Sequence, residues 1–160
     1  MTAQFALISK ELTELILRWD PILRGLSPEM ITRDRNIQKR SIKQIVGHMV
    51  DSASNNTHRI VHLQYQESPL SFPDYANLGN NDRWIAIQNY QEEDWDHLVS
   101  LWTSSHRHIA HVMVHTDPRK LGSIWISALG EQVSLQDMIL DFPRHFHLHI
   151  SEIEALMNTR

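Results

Sequence analysis

Hydrophobic side chains recur at spacings of three and four residues in four separate stretches of the chain, which is the pattern of amphipathic α-helices. The predicted helices run from Ser9 to Leu23, from Ser41 to Gln66, from about Asp94 to His115, and from Ser134 to Met157. The second and fourth helices begin with capping signatures, because Gln44 and Asp137 each follow a serine by three residues. Four amphipathic helices of this length predict an all-α fold, a four-helix bundle in one domain spanning residues 1–160.

The segments between the helices carry shorter patterns. A loop rich in proline, glycine and asparagine begins at Glu67, and a short helical piece is predicted after it, from Asp82 to Tyr90. β-Favouring residues flank Leu129 and Gly130. They predict a short hairpin between Ser123 and Leu135, directly before the last helix.

Composition and charge exclude several classes of protein. The chain has 160 residues, of which 41% are hydrophobic and 21% charged, and no apolar run approaches the roughly 20 residues of a membrane span. The formal net charge of −4 argues against a nucleic-acid partner, because phosphate binding depends on positive charge. The absence of cysteine excludes disulfides, thiolate metal ligands and a cysteine nucleophile. Since no basic, export-type segment opens the chain, we expect a cytoplasmic protein without membrane contact.

One basic cluster, from Arg33 to Lys43, leaves two interpretations open. It is either a solvated loop that leads into the second helix or a clamp for an anionic substrate. Runs of charge are usually solvated, which favours the first interpretation.

Histidine occurs 11 times, and three copies alternate in the fourth helix. At about 100° per residue, His145 and His149 lie about 40° apart on the flank of the apolar stripe, whereas His147 points about 160° away, toward solvent. The helix also contains Pro143, which is expected to bend it. Two imidazoles one helical turn apart can share a metal ion, so His145 and His149 form a candidate pair of ligands.

That spacing is a weak signal by itself, because two further pairs have it, His58 with His62 and His111 with His115. The second helix strengthens the signal, since its polar residues border the apolar face instead of opposing it, as the lining of a buried polar pocket requires. They are His48, Asp51, Ser52, Asn55, Arg59 and His62. In the third helix, His106 lies within the apolar stripe, either as a core histidine bonded to a backbone carbonyl or as a group near the pocket.

Two segments, RSIKQIVGHMVDSASNNTHRIVHLQ and DFPRHFHLHISEI, resemble the DinB-like superfamily of metal-binding four-helix bundles, which includes the YfiT-type proteins. SIKQIVGHMVDS is similar to the family's second helix, and His145 with His149 matches its last helix. The region from Phe72 to Met113 is also similar. Arg40 stands where the family often has tryptophan, and we expect it to alter the mouth of the pocket.

The resemblance implies that His48, His145 and His149 hold a divalent metal, zinc or nickel, and that the chain forms a homodimer. Three imidazoles leave the ion an open position, which is the arrangement of a catalytic site. We therefore expect a metal-dependent enzyme that acts on a small molecule. It is either a thiol-dependent S-transferase with a low-molecular-weight thiol cosubstrate or a hydrolase that uses metal-bound water, and the sequence does not separate the two.

Three further residues are candidates for supporting roles. Asp51 is expected either to orient a ligand imidazole or to pair within its helix with Asn55 or Arg59. His106 and Glu152 are candidate catalytic groups for proton transfer. The alternative function is that of a non-catalytic, stress-related bundle protein that binds a metal or a ligand, and a fourth protein ligand that closes the site would favour it.

Overall fold

The computed structural model describes residues 3–159, which form six α-helices and one small sheet. The helices are α1 (Ala3–Arg24), α2 (Pro28–Thr32), α3 (Ile42–Tyr65), α4 (Asn80–Gln88), α5 (Trp95–Val114) and α6 (Leu135–Met157). The strands are β1 (Leu70–Ser71), β2 (Ile124–Ile126) and β3 (Gln132–Ser134). Short 3-10 helices cover Tyr90–Glu92 and Pro118–Lys120.

The four long helices α1, α3, α5 and α6 form the predicted bundle. Helix α1 packs against α5 and α6, and α3 packs against the same two helices, so the order around the bundle is α1, α5, α3, α6. Large apolar side chains fill the space between them, among them Leu12, Ile45, Trp102 and Phe146. The all-α, four-helix-bundle prediction is confirmed.

The predicted helix starts at Ser41 and Ser134 are also observed. Ser41 accepts a hydrogen bond from the backbone of Gln44, whose side chain bonds back to the Ser41 amide, and Ser134 accepts from the backbone of Asp137. These bonds satisfy amide groups that lack partners within the first turn of a helix. Helix α6 continues through Pro143. The short helix α2 was not predicted, and α1 begins six residues earlier than its apolar pattern indicates, at Ala3.

The predicted hairpin is present and belongs to a three-stranded sheet. Strands β2 and β3 are antiparallel, and β1 adds to β2 in parallel, with Leu70 opposite Trp125. Strand β1 was not predicted, because two residues are too few for an alternating pattern. The sheet joins the loop after α3 to the segment before α6.

Helix α3 carries an unusually polar buried face, and one glycine shapes its other side. A Cβ added at Gly47 would lie 2.2 Å from the Tyr90 ring, so only glycine lets that ring pack against the helix. From there the Tyr90 hydroxyl reaches the Asp51 carboxylate. No helix within residues 3–159 is long and apolar enough to cross a membrane.

Candidate metal centre

Three histidines from two helices converge beside the bundle core. His48 projects from α3, and His145 and His149 project from α6. One ring nitrogen from each lies within 4.8 Å of the others. His48 and His149 are buried and His145 is half-buried. Among the residues that the structure describes, these three form the one group with the geometry of a metal site.

The distance between the two α6 ligands suits a metal ion. His149 Nε2 lies 3.1 Å from His145 Nε2, and their ring centroids are 4.4 Å apart. Two nitrogens bound to zinc at 2.0–2.1 Å and at a tetrahedral angle are about 3.3 Å apart. The His48 ring completes the group, with its centroid 4.6 Å from that of His149. The three side chains therefore fit one divalent ion.

Each imidazole is held by a different partner at its other nitrogen. Glu152 Oε2 lies 2.8 Å from His149 Nδ1, and Ser52 Oγ lies 3.4 Å from His145 Nδ1. A carboxylate accepts only, so His149 must carry its hydrogen on Nδ1, which leaves the Nε2 lone pair free. Partners of this kind fix the ring orientation of metal-binding histidines.

Tyr75 holds the third imidazole and selects its tautomer. The Tyr75 hydroxyl lies 3.1 Å from the backbone oxygen of His48 and also contacts His48 Nδ1. The carbonyl oxygen can only accept, so it takes the single hydroxyl hydrogen, and the hydroxyl oxygen accepts from His48 Nδ1–H. The lone pair of His48 is then on Nε2, toward the other two histidines. The sequence did not point to Tyr75, because a loop residue has no periodicity that relates it to a helix face.

Burial keeps the imidazoles of His48 and His145 neutral, which is the form that binds a metal. Burial and the nearby His149 lower the pKa of His48 to about 2, and the same two causes lower the pKa of His145 to about 3. The Arg40 guanidinium lowers the pKa of His48 further. The neutral rings thus have free lone pairs at neutral pH.

A cavity of about 580 Å³ opens beside the three imidazoles. This volume is in the range of small-molecule sites. The side chains that line it include Arg40, Ser52, Arg59, Tyr75, Trp125 and Phe142. Part of the predicted polar stripe of α3, namely His48, Ser52 and Arg59, therefore lines a pocket, and Arg40 of the basic cluster lines it as well.

The structure places Asp51 outside this cluster. Its Oδ1 accepts from the Tyr90 hydroxyl at 2.6 Å and from Gln88 Nε2 at 2.7 Å, and Oδ2 has no hydrogen-bond partner among residues 3–159. Burial raises the pKa of Asp51 to about 6. Every ligand imidazole has another partner, so Asp51 does not orient one. The expected pair with Asn55 takes the form of a hydrogen bond from Asn55 Nδ2 to the backbone oxygen of Asp51, at 2.9 Å.

The two residues expected to transfer protons lie on either side of the site. Glu152 faces Nδ1 of His149, away from the point where the lone pairs meet. His106 is 1% exposed, contacts the Phe146 ring, and lies 2.7 Å from the Trp102 backbone oxygen through Nδ1. This is the contact of a core histidine. Proton transfer by either residue stays a prediction.

The remaining histidines lie outside the site. His147 is half exposed, as predicted, and its Nε2 lies 2.8 Å from Glu11 Oε1. His111 and His115 are exposed, and their rings are 4.2 Å apart. His62 contacts Tyr65 and Gln66 near the end of α3. Of the three His-x3-His pairs, one meets a third histidine within the described residues.

Comparison of the whole structure with solved structures identifies two similar bundles. YfiT from Bacillus subtilis, a probable metal-dependent hydrolase with an unusual four-helix-bundle topology, has a TM-score of 0.83 and 15% identity over 98% of this chain and 87% of that one. A mycothiol-dependent maleylpyruvate isomerase has a TM-score of 0.74 and 13% identity over 94% of this chain, which spans 59% of the isomerase. No protein-family model and no curated protein matches the sequence.

Proposed function

We propose that this chain, which has the fold of the DinB-like four-helix bundles, is a metal-dependent enzyme that acts on a small molecule. The observation that carries the proposal is the convergence of His48, His145 and His149 beside an open cavity, each with Nδ1 held by another side chain. The two similar structures support it, because one is a probable metal-dependent hydrolase and the other a thiol-dependent isomerase.

The proposed ion is zinc or nickel, with His48, His145 and His149 as its protein ligands. With three protein ligands, such an ion keeps an open position where it lowers the pKa of a bound water or thiol. The chain has no cysteine, so a thiol would have to come from a low-molecular-weight cosubstrate. Hydrolysis and thiol transfer both fit this arrangement.

The surrounding residues have positioning roles in this proposal. Glu152, Tyr75 and Ser52 hold the three imidazoles by their Nδ1 atoms and fix the direction of the lone pairs. Glu152 has this positioning role because it lies behind a ligand ring. The apolar wall of the cavity, which includes Phe142 and Trp125, restricts water around the substrate. The expected homodimer and cytoplasmic location stay predictions.

The first experiment is metal analysis of untagged protein, purified without chelators or a metal-affinity column. About one zinc or nickel ion per chain is expected, with loss of the ion in His48→Ala and retention in His115→Ala, which alters an exposed histidine. Circular dichroism would check that the helical content persists. Absence of metal even after reconstitution with zinc or nickel at neutral pH would contradict the proposal.

A second experiment separates the two reaction types. The metal-loaded protein would be assayed on a panel of ester and amide substrates, with and without added low-molecular-weight thiols. Turnover without thiol favours hydrolysis, whereas turnover only with thiol favours transfer or isomerisation. If the metal-loaded protein turns over no substrate with or without thiol, and spectroscopy shows a fourth protein ligand on the metal, the binding-protein alternative is favoured.

A further inference from the structure

Arg59 and Trp125 line the cavity and carry buried hydrogen-bond donors that lack partners. The Arg59 side chain is 6% exposed, and its Nε and Nη2 atoms have no hydrogen-bond partner within residues 3–159. The same is true of the indole Nε1 of Trp125, which is also buried. Both residues line the cavity that contains the three histidines. Buried donors normally have an acceptor, so three orphans in one wall require an explanation.

The nearest acid does not supply that acceptor. Asp74 Oδ1 is 3.9 Å from Arg59 Nη2, which is beyond hydrogen-bond distance. The Asp74 carboxylate is already occupied by four donors, the backbone amides of Ala76, Asn77 and Ala128 and the side-chain amide of Asn77. Burial lowers the pKa of Arg59, as expected for a cation that has lost its hydration. Asp74 therefore balances the charge of Arg59 in part and leaves its hydrogen bonds unmade.

The two donor groups are held together in a fixed arrangement. The Arg59 guanidinium carbon lies 4.0 Å from the centre of the Trp125 ring, a cation–π contact that holds the guanidinium beside the indole. Trp125 is in turn fixed within the sheet, between Leu70 on β1 and Val133 on β3. A planar donor group that cannot rotate freely suits a planar or tetrahedral oxyanion.

A second arginine that lines the cavity, Arg144, has its hydrogen bonds made within the protein. Arg144 is exposed, and its guanidinium bonds Asp141 at 2.5 and 2.8 Å. It needs no further acceptor. Arg59 has the same charge and shares the cavity, yet it is buried and lacks such a partner. The difference indicates that the Arg59 corner is built for a group that comes from outside the chain.

We propose that Arg59 and Trp125 bind an oxyanion group of the substrate, a carboxylate or a phosphate. This proposal rests on the proposed function, because it names the substrate class of the same site. Arg59 and the three histidines line the same cavity. The substrate is therefore an organic anion, with its anionic group at Arg59 and its reacting group near the histidines.

The subsite can be tested directly by NMR, without knowing the substrate. The probes are acetate and inorganic phosphate, with neutral acetamide as the control, titrated into zinc-loaded and metal-free protein. The indole N–H signal of Trp125, assigned by its absence in Trp125→Phe, is the local readout. We expect it to shift with acetate or phosphate and not with acetamide. The stronger of the two anions identifies the group.

Three variants assign the binding to the named donors. Arg59→Gln is expected to weaken anion binding about tenfold or more, because it removes the charged partner. Trp125→Phe keeps an aromatic ring beside Arg59 and removes the indole donor, so we expect about threefold weaker binding. Because this variant lacks the indole N–H signal, its binding would be followed on the backbone amides of the β2–β3 hairpin. Arg144→Gln removes the same charge from the same cavity at an exposed, paired site and should change binding less than about twofold.

The outcomes separate this subsite from the metal centre. Anion binding that depends on Arg59 in metal-free protein supports the subsite even if no metal-dependent activity is found. Metal binding without any anion-dependent shift at Trp125 would overturn the subsite and leave the proposed function standing. Equal loss of binding in Arg59→Gln and Arg144→Gln would also overturn it, because general charge would then be the cause.

Discussion

Two pairs of histidines have the same spacing and almost the same ring separation, yet they lie in different surroundings. The rings of His111 and His115 are 4.2 Å apart, and those of His145 and His149 are 4.4 Å apart. The first pair is exposed at the end of α5, where His115 Nδ1 bonds the backbone oxygen of His111. The second pair meets His48 from a neighbouring helix, and side chains hold its Nδ1 atoms.

The difference shows that helical spacing places two imidazoles together but does not make a metal site. What distinguishes the α6 pair is a third ligand from another helix, burial, and partners that fix each ring. These features depend on how α3 packs against α6, which no periodicity within one helix encodes. The following predictions test which of these features matter, beginning with the one expected to have the largest effect.

Removal of a ligand should have the largest effect. We expect His149→Ala to weaken zinc binding by more than about a hundredfold, since loss of an outer partner alone costs 10–100-fold. His115→Ala is the matched change in the exposed pair and should leave zinc affinity unchanged. Competition with a chromophoric chelator measures both affinities. Equal affinities in the two variants would mean that the two pairs do not differ in function.

Removal of an orienting partner should have a smaller effect. Glu152→Gln replaces the carboxylate behind His149 with an amide and should weaken zinc binding about 10–100-fold. Glu154 is exposed on the same helix, so Glu154→Gln is the control for loss of one negative charge. The same chelator competition applies. If both variants bind zinc equally, the contact between Glu152 and His149 does not tune the site.

A third contrast concerns a buried and an exposed histidine on α5. Burial lowers the pKa of His106 to about 4, against about 6.5 in an unfolded chain. The unfolded state therefore binds more protons between these values, so the stability that His106 contributes is present above pH 6.5 and is lost as the pH falls toward 4. For metal-free protein, we expect this residue to account for a loss of about 2 kcal/mol between pH 7 and 5.

Urea unfolding at the two pH values, in wild type and in His106→Gln, isolates that contribution from the other buried histidines. The variant should lose less stability on acidification than wild type does. His108→Gln alters an exposed histidine on the same helix and should follow wild type. An equal pH dependence in all three proteins would show that His106 is not held neutral by burial.

The smallest effect is expected from the third histidine of the α6 cluster. His147 and Glu11 form a half-exposed pair, with side chains 49% and 47% exposed. A double-mutant cycle with alanine at both positions should give a coupling of about 0.5 kcal/mol or less, because exposed ion pairs contribute little. Zinc affinity should not change. Loss of zinc in His147→Ala would contradict the assignment of alternate histidines to opposite faces.

The sequence predicted the bundle well because each long helix carries its own apolar stripe and two carry their caps. It also placed His145 and His149 on one face, since that relation lies within one helix. It could not predict Tyr75 or the pairing of Leu70 with Trp125, because both depend on how a loop returns to the bundle. The partners of the Asp51 carboxylate were missed for the same reason, since they come from the end of α4 and the 3-10 helix that follows it.

The Tyr75 hydroxyl contacts both the ring and the backbone of His48, and it comes from a loop with no helix or strand of its own. An ion bound at His48 and the ordering of that loop are therefore coupled equilibria. Coupling of this kind is reciprocal: the factor by which the ordered loop raises metal affinity is the factor by which the metal favours the ordered loop. Metal binding would thus order the loop that carries Tyr75, and an ordered loop would strengthen metal binding.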